Sequence, residues 1–102
     1  MSTLNIVNKS PFEKRSLEQC LPRMGKGDSL LLIEDASVAA VNGNAHAASL
    51  ETAGKDAGLY VLQPDLEARG LGDSALVSGI QKVGYDGFVE LCAQHDRVHS
   101  WL

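Results

Sequence analysis

The chain has 102 residues, 44% of them apolar, with nine Lys+Arg against thirteen Asp+Glu, a net charge of −4 and a pI near 5.2. That length fits one α/β-sized domain spanning 1–102 with a modest core, which partner subunits would help to stabilise. The acidic balance, with Lys14-Arg15 as the longest basic run, argues against a nucleic-acid module, whose affinity comes from clustered cations facing phosphates.

Other classes are excluded as quickly. The longest uncharged stretch, Ala36 to Leu50, contains Asn42, Gly43, Asn44 and His46, too short and too polar to span a bilayer. No basic region followed by an apolar run opens the chain, so no signal peptide is expected. Cys20 and Cys92 lie far apart without CxxC spacing, which gives neither a zinc pattern nor a disulfide framework. The expected compartment is the reducing cytoplasm, with both thiols free.

In chain order, Leu4-Asn5-Ile6-Val7 reads as a first strand. Ser10-Pro11-Phe12-Glu13 carries a helix-start signature, Ser at the cap, Pro next and Glu three residues on. Ser16 with Gln19 is a second such start, so the pair marks either one helix with a loose first turn or a turn followed by a helix. Leu17, Leu21 and Met24 recur on one helical face, Pro22 shortens the last turn, and Gly25 and Gly27 end it. Asp28 to Ile33, with its unbroken Leu30-Leu31-Leu32-Ile33, is the strand expected to be buried on both faces.

Ala36 to Val41 is small and apolar, Asn42-Gly43-Asn44 is a turn, and His46 to Leu50 fits a short helix or a strand. Leu59 to Leu62 is the next strand, and Pro64 to Gly70 a helical turn closed by Gly70. Ile80 to Tyr85 fits a short strand. Asp86 is the expected cap of a last helix with Phe88, Val89, Leu91 and Cys92 as its apolar stripe, and Val98 to Leu102 a final edge strand anchored by Trp101. Alternating strands and helices predict an α/β fold, a small three-layer sandwich around a mostly parallel sheet of four or five strands.

Candidate chemistry is sparse. Cys20, near the N-terminal half of the first helix, where the dipole favours a thiolate, and close in sequence to Lys14, Arg15 and Arg23, has the surroundings that lower a thiol pKa and make it nucleophilic; the alternative is that it packs beside Leu17 and Met24 as buried cysteines do. Cys92 reads as core filler. His46, His95 and His99 form no metal motif, and His95 suits a helix C-terminus. Asp35, Asp65 and Glu67 lie near strand ends, where α/β sheets bind ligands, but fit solvated loop acids or caps as well. Gly70-Leu71-Gly72-Asp73 is not followed by a P-loop lysine.

Several pieces in this order resemble a known family. Lys9-Ser10-Pro11-Phe12 follows the first strand. The run Leu30-Leu31-Leu32-Ile33-Glu34-Asp35-Ala36-Ser37-Val38-Ala39-Ala40 resembles an apolar strand leading into D-x-V-x-A. Tyr60 to Gly70 resembles Y-x-L-x-x-D-x-x-A-R-G, and Tyr85-Asp86-Gly87-Phe88-Val89-Glu90-Leu91 and Trp101 complete the set. Together they resemble the DsrH/TusB family of sulfur-relay subunits, the DsrH type more closely.

The resemblance implies a DsrE-like fold and a cytoplasmic heterohexamer with DsrE/TusD-like and DsrF/TusC-like subunits, two copies of each. Such a complex exchanges cysteine-persulfide sulfur with carrier proteins and implies no cofactor, no metal, no membrane and no direct nucleic-acid contact. It serves dissimilatory sulfur oxidation in one branch, the branch expected here, and thiolation of a tRNA wobble uridine in the other. The principal acceptor cysteine belongs to the DsrE/TusD-like partner. DsrH-type members carry a cysteine in the first helix, and Cys20 matches that position, which makes it the candidate sulfur-accepting or redox thiol; a purely structural subunit is the alternative. Phe12 and Trp101 are the expected interface anchors.

Overall fold

A computed structural model describes residues 2–101. Five strands, β1 (Thr3–Val7), β2 (Ser29–Leu32), β3 (Gly58–Leu62), β4 (Ile80–Val83) and β5 (Arg97–Trp101), form one sheet in the order β4-β3-β2-β1-β5. Every pairing is parallel; Leu4, for example, aligns with Ser29 on one side and Val98 on the other. The helices are α1 (Ser16–Cys20), α2 (Ala47–Ala53), α3 (Gln63–Ala68) and α4 (Tyr85–Gln94), with 3₁₀ segments at Leu21–Arg23 and Glu34–Ala40. The final predicted strand residue, Leu102, lies outside the described residues.

Strand composition explains the layering. Every residue of β2 is buried, as an apolar run in the middle of a parallel sheet requires. Side chains alternate between the two faces. Val7, Leu30, Leu32, Leu59, Val61 and Ile80 meet α1, α2, α3 and the 3₁₀ segments in the larger core cluster. Leu4, Ile6 and Leu31 meet Leu91, Phe88 and Cys92 of α4 on the other face. Each fully buried leucine contributes about 2 kcal/mol relative to leaving it in water. Three crossovers therefore occupy one face, and only the β4-to-β5 crossover takes the other.

Local signals are realised unevenly. Ser10 accepts the Phe12 N–H at 3.2 Å, and its carbonyl accepts from Glu13 and Lys14, but the result is one isolated turn, with α1 beginning only at Ser16. Of the two arrangements compatible with the sequence, the turn followed by a helix is the one formed. Pro22 converts the end of this segment to a 3₁₀ turn, consistent with its missing N–H. Gly70, at φ 71°, ends α3 in a Schellman arrangement: Gly70 N–H donates to the Glu67 carbonyl and Leu71 N–H to that of Leu66, while the Leu66 and Leu71 side chains share the core.

Two details of α4 differ from expectation. Gly84 occupies the cap and Asp86 sits inside the first turn, where its charge meets the dipole without a capping bond. Val89 is 68% exposed, because it follows Phe88 by one residue and so lies about 100° around the helix from the buried stripe.

Candidate functional site

Cys20 is the last residue of α1, not part of its first turn, and its exposure is 0%. It sits in the larger core with Leu17, Leu30 and Leu50. Burial pushes its thiol up to about 12, and the nearby Asp28 charge adds to the rise. Asp28 is fixed there because its carboxylate caps two backbone groups, the Thr3 N–H at 2.9 Å and the Gly25 N–H at 2.8 Å. The cations expected around the thiol are all at the surface: Lys14, Arg15 and Arg23 are exposed, and Arg15 pairs with Glu18 at 3.1 Å. The expectation of a lowered thiol pKa is therefore corrected. Desolvation at a helix's end outweighs any dipole at its start. Cys92 is half-buried against the α4-side cluster.

The carboxyl edge of the sheet gathers the acidic positions. The Asp65 carboxylate accepts the Glu34 N–H at 2.6 Å. Arg69 donates to Asp35 from Nη2 at 2.8 Å and from Nε at 3.3 Å, and its Nη1 donates to the Asp65 carbonyl at 3.0 Å. The D-x-x-A-R-G segment thus ties the end of β3 to the end of β2. Glu34 adopts φ 49°, a conformation that costs a non-glycine residue about 1–2 kcal/mol and that the Asp65 bond helps hold. Glu67 stands apart, beside Gln63, Gly70 and Gly72 in a separate polar hollow.

The histidines are dispersed. His46 meets the exposed Phe12 ring at a centroid distance of 5.6 Å, and His99 meets Trp101 at 4.7 Å. His95 bridges the Leu91 carbonyl through Nδ1 at 2.7 Å and the Ser29 hydroxyl through Nε2 at 2.8 Å. A carbonyl only accepts, so Nδ1 is the donor to Leu91, and in the neutral ring Nε2 accepts from the Ser29 hydroxyl. Among the described residues no group of three or more His, Cys, Asp or Glu could hold a metal ion, and no helix is long and apolar enough to cross a membrane.

Trp101 is held inward. Its Nε1 donates to Asn5 Oδ1 at 3.0 Å, and its ring packs on the larger core. Phe12, by contrast, is 61% exposed. Sequence reasoning missed the Ser29–His95 contact, which joins positions 66 residues apart. It also missed the left-handed Glu34, for which the sequence holds no signal.

These features define an α/β protein built on a five-stranded, all-parallel sheet with helices on both faces. The crystal structure of the ychN protein from E. coli matches with a TM-score of 0.80 over 98% of this chain and 99% of that one, at 19% identity, which speaks to fold alone. The family described as DsrH like protein matches residues 9–98. Protein TusB of Photorhabdus laumondii is 36% identical over 98 residues, 96% of this chain and 99% of that protein. Protein TusB of Serratia proteamaculans is 42% identical over 92 residues, 85% and 94% of the two chains. The chain belongs to the DsrH/TusB family.

Proposed function

We propose that this chain is the DsrH/TusB-type subunit of a cytoplasmic sulfur relay, assembled with DsrE/TusD-like and DsrF/TusC-like subunits, two copies of each, and serving tRNA wobble-uridine thiolation. The observation that carries this reading is the near full-length similarity to proteins named TusB. Those names favour the tRNA branch over the dissimilatory-oxidation branch. The net charge of −4 suits a subunit that passes sulfur to another protein and touches no tRNA itself.

In such a relay a thiolate attacks the outer sulfur of a donor persulfide. The new S–S bond forms as the donor's S–S bond breaks, and the donor leaves as a thiolate, so no external oxidant is consumed. The reacting group must be ionised and accessible. Cys20 is neither, at 0% exposure and with its thiol near 12, which supports a structural subunit whose partner chain holds the transferring cysteine. A second reading keeps Cys20 as an acceptor, favoured by its place in the first helix, and requires α1 to move on assembly.

Co-expression with the two partner subunits tests the reading. The expected result is a single complex containing all three chains in equal amounts, with wobble-uridine thiolation lost when this chain is omitted. A chain that stays separate from both partners, or thiolation unchanged without it, contradicts the assignment.

A further inference from the structure

Charge is divided unevenly between the two sides of the sheet. The crossover that carries α4, residues 84–96, holds Asp86, Glu90 and Asp96 and neither Lys nor Arg, a net −3. The rest of the chain has nine cations against ten carboxylates, a net −1. Seven of those cations lie in the three crossovers of the opposite side, from Lys9 in the first to Arg69 in the third. The two on strands face that side as well. Lys82 aligns with Val61 of the larger core, and its Nζ donates to the Gly72 carbonyl at 2.6 Å. Arg97 alternates with Val98, which aligns with Leu4 on the α4 side.

α4 is also apolar over more of its circumference than the sheet covers. At about 100° per residue, Leu91, Phe88, Cys92, Tyr85, Val89 and Ala93 follow one another around the helix over an arc of about 200°. Burying one face against a core takes about 100°. Leu91, Phe88 and Cys92 meet the sheet. Tyr85 and Val89 are 62% and 68% exposed, and Ala93 is exposed beside them. Spaced four apart, these three form one outward ridge that tapers from a large side chain to a small one. Asp86 and Glu90 each follow a ridge residue and stand along its outer border. Both are exposed, and neither forms an ion pair among the described residues. Asp96, beyond the helix, is engaged by the Ser2 N–H at 2.8 Å.

We propose that the Tyr85-Val89-Ala93 ridge docks an amphipathic helix of a partner protein that carries Lys or Arg beside its apolar stripe. The ridge supplies what another helix packs against, a row of side chains at i and i+4 spacing. Charge complementarity identifies the occupant, because the two carboxylates sit on the same helix as the ridge and no Lys or Arg belongs to α4 or points to its side from a strand. A second copy of this chain is disfavoured: a two-fold contact would set Asp86 and Glu90 of one α4 against those of the other. An anionic membrane is disfavoured too, since helices that lie on one carry Lys and Arg on their polar face. Nucleic-acid phosphates meet the same repulsion. The proposal rests on α4 alone and does not depend on the relay reading or on thiol chemistry.

The test is an NMR titration of the isotopically labelled full chain with a synthetic helical Leu/Lys peptide. Two matched controls replace Lys by Glu or Leu by Ser. The expected result is that the Leu/Lys peptide alone shifts the amides of Tyr85, Val89 and Ala93, with binding weakened by salt. Asp86→Asn with Glu90→Gln weakens it about fivefold. Val89→Ser weakens it about tenfold. All three positions are exposed, so the melting temperature of each variant stays at the parent's value. Absence of shifts on α4, or shifts centred instead on the acidic hollow at Glu67 and Asp73, overturns the proposal. An equal response to the Leu/Glu or the Ser/Lys peptide overturns it as well. So does binding of phosphatidylserine vesicles through α4, or self-association of the chain that Val89→Ser abolishes.

Discussion

At the scale of single residues, the burial of Cys20 is what separates a structural subunit from a sulfur-accepting one on the proposed reading. Its burial predicts that, in a Cys92→Ser background, iodoacetamide fails to label the native protein and labels it fully in denaturant. The raised thiol pKa also links stability to pH. The folded state keeps its proton up to about 12, while an unfolded thiol loses it near 8.5. Between those values the unfolded chain binds fewer protons, so this contribution is fully present below the unfolded pKa and is lost as pH rises toward 12. Denaturant melts from pH 8 upward should show a steeper alkaline loss in the parent than in Cys20→Ala; equal slopes would refute the linkage. Glu34 gives a second prediction. Its left-handed backbone should make Glu34→Gly stabilising by about 0.5–1 kcal/mol, provided the Asp65 bond to its N–H survives. A lowered melting temperature would mean that the side chain, not the backbone, governs this site.

At the scale of elements, α4 is, among the described residues, the only helix on its face of the sheet. Leu91 and Phe88 fill the interface, and His95 pins the helix's end to Ser29 of β2. His95→Ala leaves the Leu91 carbonyl and the Ser29 hydroxyl without this partner and should cost about 1–3 kcal/mol. Hydrogen exchange should then accelerate in α4 and β5 ahead of β2; uniform acceleration would argue against a local latch.

Legibility also divides at this scale. β2, β3 and α3 announce themselves because each rests on adjacent residues: the Leu30–Ile33 run, the Leu59–Leu62 run, and Gly70 closing a Schellman turn. The helix-start pattern at Ser10 yields only a turn, since a local cap cannot propagate a helix that lacks a buried face to follow it. Val89 belongs to the same apolar run as Phe88 and Leu91, but a contiguous run does not say which residue turns outward, and Val89 faces water. The site was harder still. The sequence offered Cys20 with cations near it, but proximity in sequence gave no depth. The thiol faces the core while Lys14, Arg15 and Arg23 face water.

At the scale of the whole molecule, a five-stranded parallel sheet with three crossovers on one face and one on the other builds a small protein with an apolar core and a buried thiol at Cys20. On the proposed reading it is one subunit of a sulfur relay, and its own surface carries an exposed Phe12. Such a subunit acts by what it holds in place. The most direct measurement is to load the reconstituted three-subunit complex with a persulfide donor and record the intact mass of each chain, with peptide mapping of any adduct. The account predicts added sulfur on a partner subunit and none on this chain. Sulfur found on Cys20 of the folded complex would contradict it.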